Sequence, residues 1–154
     1  SRTYGLQTIV LRYFNVYGPR EPTKGHYAPV IGLFKRQFAA GEKITIVGTG
    51  DQRRDFTYID DVVAANIAAG FEKNNRDKND HEGHFEIYNI GTGKNYSINQ
   101  VAQMVTEKDN ISDFSINIPL RKSELLETRA DIRKFSRRYF WRPAHDLKDV
   151  INSY

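Results

Sequence analysis

Cysteine is absent from the 154-residue chain, so neither a disulfide staple nor a thiol nucleophile is available to it. That suits the cytoplasm, the expected location, although the absence of cysteine is compatible with any compartment. Long hydrophobic runs are also missing. No stretch approaches the ~20 apolar residues of a membrane span, and no membrane partner is expected. Ser1-Arg2-Thr3-Tyr4-Gly5 puts no apolar run behind its basic start, which argues against a secretory signal. Metal-ligand spacing is lacking too. Of four histidines, His81 and His84 are near neighbours but have no third ligand of zinc type, so no metal is expected. Nor does one sign of charge dominate. The 23 Lys and Arg against 19 Asp and Glu leave a net charge of +4, and the isoelectric point is near 9.3. The densest basic cluster, Arg129 to Arg142, alternates with Asp131, Phe135, Tyr139, Phe140 and Trp141, and reads as a solvated helix face with snorkelling stems. Without a stacking platform or helix-turn-helix pattern, no nucleic-acid partner is expected. A modest basic excess also suits an anionic small molecule.

What is present reads as one α/β domain. Ser1 to Gly5 looks like a helix end stopped by Gly5. Thr8 to Tyr13 is a near-continuous apolar run of strand length, suited to a strand covered on both faces. The segment from Asn15 to His26 is a loop with two prolines and two glycines. Pro29 precedes a helical stripe of Val30, Ile31, Leu33, Phe34 and Phe38, ended by Gly41. Ile44 to Val47 is a strand, Gly48 to Asp51 a turn, and Arg54 to Ile59 a further strand. Asp60 or Asp61 is then expected to cap a helix running to Phe71. Glu72 to Gly83 is polar, without periodicity, and reads as a mobile surface loop. Phe85 to Ile90 is a strand leaving through Gly91-Thr92-Gly93, a tight exit turn without the context of a dinucleotide-binding loop. Ser97 caps a helix carrying Ile98, Val101, Met104 and Val105. Phe114 to Ile118 is a strand, and short helices begin near Asp131 and Asp146. The strands at 7–13 and 85–90 look central, yet the chain supplies too few parallel neighbours for them. This points to a part of a larger sheet.

Several segments carry candidate chemistry. Asn15 follows a strand end, where open α/β sheets bind ligands. Its amide can meet a ligand or satisfy its own turn. Arg54 presents a planar fork suited to phosphate oxygens, or pairs with Asp55. Ala28-Pro29-Val30-Ile31 is a helix start that either cradles an anion or simply begins the helix.

Longer strings resemble a known family. Arg12-Tyr13-Phe14-Asn15-Val16-Tyr17-Gly18-Pro19-Arg20 is similar to a motif of the extended short-chain dehydrogenase/reductases, the NAD-dependent nucleotide-sugar epimerases and dehydratases. So is the run from Gly48-Thr49-Gly50 through Arg54-Asp55-Phe56-Thr57-Tyr58-Ile59 to Asp61. Pro119-Leu120-Arg121-Lys122-Ser123-Glu124 resembles the family's Arg-Pro-Gly-acid string, with Lys122-Ser123 replacing its Pro-Gly. The resemblance implies that Asn15 contacts the diphosphate or sugar of the substrate, Arg54 and Arg121 the diphosphate, and Glu124 the ribose. It also implies Val47 as a wall against the base and Ala28 and Val30 as backbone contacts. Tyr13 and Phe14 would lie near the nicotinamide as cofactor-binding residues.

It further implies the final Rossmann strands plus a small substrate-binding α/β domain, that is, the C-terminal portion of the family fold over residues 1–154. The strands near 7–13 and 85–90 would belong to a Rossmann sheet completed by an N-terminal NAD-binding half. No tyrosine here has a lysine four positions later, and the glycine-rich NAD loop does not occur, so no catalytic residue is assigned. NAD belongs to the complete enzyme rather than to this chain alone. The expected function is nucleotide-sugar binding, a UDP-sugar foremost, in a UDP-glucose 4-epimerase-like enzyme with a possible homodimer. The alternatives are an ADP-heptose epimerase or 4,6-dehydratase portion, and a non-catalytic assembly module.

Overall fold

The structure is a computed structural model that describes residues 1, 3–23, 25, 28–71 and 85–154. The polar segment from Glu72 to Gly83, and His81 and His84, lie outside the described residues. In chain order the elements are β1 (Thr8–Tyr13), β2 (Val16–Tyr17), α1 (Val30–Ala39), β3 (Ile44–Val47), β4 (Arg53–Arg54), β5 (Thr57–Tyr58), α2 (Ile59–Gly70), β6 (Phe85–Ile90), β7 (Tyr96–Ser97), α3 (Ile98–Thr106), β8 (Ser115–Ile118), α4 (Arg133–Tyr139) and α5 (Leu147–Val150).

The strands pair two by two. β1 runs parallel to β6, β2 to β5 and β3 to β8, while β4 meets β7 antiparallel. In the first pair Thr8 stands opposite Phe85 and Tyr13 opposite Ile90. The period of two puts Ile9, Leu11, Tyr88 and Ile90 on one face. There they pack on Val62 and Ala65 of α2 and on Phe135 and Trp141. The other face carries Val10, Phe85 and Ile87, with Phe85 53% and Ile87 38% exposed. The expected covering on both faces is therefore present on one face only among the described residues.

The larger core joins α1, β3 and α3. Ile31 and Phe34 of α1 meet Ile44 and Ile46 of β3, Val101 and Ala102 of α3, and Leu147 and Ile151 from the C-terminal segment. The helical stripe of α1 brings Val30, Ile31, Leu33 and Phe34 to this core, while Phe38, expected in the stripe, is 36% exposed and meets Phe114 edge-on. Burying a side chain such as Phe34, 0% exposed, contributes roughly 2–3 kcal/mol. α3 starts as expected: the Ser97 side chain accepts from Gln100 N, and the Gln100 side chain returns the bond to Ser97 N. Asp146 caps α5 by accepting from Lys148 N.

Two expectations are corrected. Arg54 to Ile59 is not one strand. The backbone changes partners at Asp55 and Phe56, from antiparallel pairing with β7 to parallel pairing with β2, because both side chains turn inward and are buried. The cap of α2 is also different. Tyr58 holds the N-cap position, and no side chain caps that end. Asp60 and Asp61 lie in the first turn, where the helix dipole favours them. Asp61 is buried and accepts from Ala144 N (2.9 Å) and His145 N (3.2 Å), with His145 Nδ1 at 3.0 Å. A tertiary demand for acceptors outweighed a local one for a cap.

Candidate functional site

A cleft of about 230 Å³ opens beside the larger core. Asn15, Ala28, Val30, Val47, Arg54, Arg121 and Glu124 all line it. Four separated stretches of chain thus converge. The loop after β1 brings Asn15. Its backbone holds a φ of +30°, tolerated by Asn because the short amide bonds locally. Here the amide reaches across the fold instead: Nδ2 donates to the Asp55 carbonyl at 2.6 Å. Ala28 and Val30 flank Pro29, the N-cap of α1; no Pro29 side chain caps this end, and the first-turn Gly32 N–H is directed at the Glu21 carboxylate. Val47 ends β3 opposite Ile118 of β8. Its carbonyl accepts from Gln52 Nε2 at 2.8 Å.

The charged part of the cleft comes from β4 and the turn at 121–124. Arg54 NH2 donates to Glu124 Oε1 at 2.5 Å, and NH1 to the Arg53 carbonyl at 2.8 Å. The Arg54 and Glu124 side chains are only 15% and 19% exposed. Partial burial strengthens such a pair and fixes the plane of the guanidinium. Glu124 N donates to the Arg121 carbonyl, and Ser123 adopts a φ of +66°, so the turn forms without the glycine that favours it. Arg121 is exposed. Two guanidinium groups against one carboxylate leave the cleft electropositive, which suits an anion.

The Arg54–Asp55 pairing offered by sequence does not form. The fully buried Asp55 carboxylate accepts from Thr92 N (2.8 Å) and Thr92 Oγ1 (2.7 Å) at one oxygen, and from Gly93 N (2.9 Å) and Ala130 N (3.0 Å) at the other. Gly91-Thr92-Gly93 is a strand exit as read from sequence, and its N–H groups are filled from within. That arrangement does not fit a dinucleotide phosphate. Gly91 is required here: a Cβ would come within 2.4 Å of Ala130 Cβ. Arg53, beside Arg54 in β4, donates through Nε to Asn95 Oδ1 and through NH2 to the Asn95 carbonyl.

Tyr13 and Phe14 are placed elsewhere. Tyr13 lines a separate shallow groove with Leu11 and Asn66, and its hydroxyl donates to Asn66 Oδ1 at 2.9 Å. Phe14 lines neither opening, and its carbonyl accepts from Thr57 Oγ1. Sequence reasoning missed Leu33, Thr45, Gln52 and Ile118 in the cleft. The alternation of Thr45 with Val47 along β3 was the available signal. Among the described residues there is no group of His, Cys, Asp or Glu able to hold a metal, and no helix long and apolar enough to cross a membrane.

A second polar opening of about 160 Å³ includes Lys94, Tyr96, His145 and Asp146. Burial alone would raise the Asp146 pKa. Hydrogen bonds from Lys94 Nζ, Tyr96 Oη and Lys148 N outweigh it and hold the group at about 2.

Parallel strand pairs, covering helices and a cleft at the strand ends define an α/β fold of the short-chain dehydrogenase/reductase class. The chain belongs to the NAD-dependent epimerase/dehydratase family, whose model matches residues 1–91. A Methanocaldococcus jannaschii protein provisionally named UDP-glucose 4-epimerase is 36% identical over 98% of this chain and 45% of its own length. An ADP-L-glycero-D-manno-heptose-6-epimerase of Brachyspira hyodysenteriae is 33% identical over 96% and 45%. The Thermotoga maritima UDP-glucose 4-epimerase, solved with UDP-glucose, superposes with a TM-score of 0.82 at 34% identity, covering 97% of this chain and 45% of that one. The chain thus spans less than half the length of the curated relatives it matches.

Proposed function

We propose that this chain is the nucleotide-sugar-recognising portion of an NAD-dependent sugar epimerase, and that the cleft takes a UDP-sugar. The observation that carries the reading is the convergence of seven residues, chosen on sequence motifs, in one electropositive cleft. In this reading Arg54 and Arg121 bind the diphosphate, with Glu124 orienting Arg54 and reaching the ribose. Val47 walls the base, the backbone at Ala28 and Val30 borders the nucleotide, and Asn15 meets the diphosphate or sugar. No residue of the chain acts on the sugar chemically. NAD and the catalytic groups come from an N-terminal half that completes the sheet of β1 and β6, with Tyr13 and Phe14 near the nicotinamide. A homodimer is compatible with this arrangement.

The test is calorimetry with UDP and UDP-sugars on the complete protein carrying this chain. Arg54→Ala and Arg121→Ala are each expected to weaken binding about tenfold or more, as for loss of a charge-assisted hydrogen bond. Unchanged affinity in both variants would remove the site assignment. The heptose-epimerase relative supports a second reading in which ADP takes the place of UDP. A preference for ADP in the same titration would select it.

A further inference from the structure

We propose that Asp55, which lines no part of the cleft, is the positioning residue that sets its two polar walls in register. This rests on the reading of the cleft as a nucleotide-sugar site and adds to it a residue that touches no ligand. Three observations converge. The Asp55 carboxylate is 0% exposed and takes four hydrogen bonds, so its placement is fixed by the exit of β6 and by the backbone at Ala130. Its carbonyl accepts the Asn15 amide at 2.6 Å, which fixes a cleft side chain arriving from 40 residues away in sequence. Its neighbours Arg54 and Phe56 both line the cleft, and the strand changes partners at this residue. One anchored peptide unit therefore holds Asn15 on one wall and directs Arg54 on the other.

The hydrogen-bond pattern says why an acid is needed. Each carboxylate oxygen faces at least one backbone N–H, which can only donate. An amide in the same place must turn its NH2 toward one of those donors, whichever way it is flipped. Asp55→Asn keeps the volume but sets donor against donor. The residue then shifts away from the 91–93 turn and carries its carbonyl with it.

The experiment is a double-mutant cycle on the complete protein, read as UDP affinity by calorimetry with unfolding midpoints measured alongside. Asp55→Asn is expected to weaken UDP about tenfold. Asn15→Ala is expected to weaken it severalfold in the parent and not at all in the Asp55→Asn background, since the amide has already lost its seat. A purely structural role for Asp55 would lower the unfolding midpoint and leave the two effects additive. Equal cost of Asn15→Ala in both backgrounds, zero included, overturns the proposal. If Asp55→Asn fails to fold, Thr92→Val, which removes only the hydroxyl donor, enters the same cycle with a smaller expected loss of about threefold. Arg54→Ala separates the two levels. If it and Arg121→Ala both leave UDP affinity unchanged, the nucleotide reading falls. If it weakens binding while Asp55→Asn does not, only the positioning role falls.

Discussion

The lobe around α1, β3 and α3 and the layer formed by β1 and β6 are both parallel-strand packings, yet they are finished to different degrees. In the first, Phe34, Ile44, Ile46, Val101 and Ala102 are almost completely buried by side chains of this chain. In the second, Tyr88, Ile90 and Phe135 are buried on one face, while Phe85 and Ile87 on the other lie open to solvent. A parallel strand pair is normally covered on both faces. The core that borders the cleft is therefore closed by side chains of this chain, with Ile116 and Ile118 of β8 left exposed at its edge, whereas the layer beside it carries an apolar face suited to a further covering layer.

The largest effect expected from this contrast is in the finished lobe. Phe34→Ala should cost about 3–5 kcal/mol in urea unfolding, because it leaves a cavity among fully packed neighbours. The matching change on the open face, Ile87→Ser, should cost the isolated chain less than about 1 kcal/mol and reduce its self-association in light scattering. In the complete protein the same Ile87→Ser should cost about 2 kcal/mol or more. Equal cost in both settings would mean that nothing covers this face.

A smaller effect concerns the bond between the C-terminal segment and β7. Asp146 has its pKa lowered from 3.8 to about 2, so its contribution is present above about 4 and disappears as pH falls toward 2. Asp146→Asn should flatten the stability profile over that acid window by about 1 kcal/mol, since the group is partly exposed and solvent screens it. An unchanged acid profile would remove Asp146 as the tie.

The smallest effect has the opposite sign. Burial raises the Glu21 pKa, more than the Tyr154 hydroxyl, Lys35 and the Gly32 backbone lower it. One of its oxygens is buried without a hydrogen bond. A raised carboxyl pKa lends stability at low pH that is lost as pH rises past the ordinary value of 4.5. Glu21→Gln should therefore stabilise the chain at neutral pH by about 0.5–1 kcal/mol, seen as a higher thermal midpoint. No gain at pH 7 would show that Glu21 is adequately compensated as an anion.

Much of this architecture was legible from local pattern. The apolar run at β1, the stripe of α1, the alternation at β3 and the Ser97–Gln100 box are signals within a few residues, and each became the expected element. The motif residues of the cleft were readable as a set because family resemblance links distant strings. What was not readable were choices between partners. Arg54 took Glu124 rather than Asp55, and Asp61 took the 144–145 backbone rather than the start of its own helix.

The amino-acid order alone determined where the chain could extend, coil and turn, since propensity, capping and periodicity act over neighbouring residues. Only the tertiary structure decided which donor each buried carboxylate received. A charge withdrawn from water must be matched by whatever N–H groups the whole fold brings within 3 Å or so of it. That is why the Asp55 carboxylate, beside an arginine in sequence, ends in the Gly91-Thr92-Gly93 turn and leaves Arg54 facing the cleft.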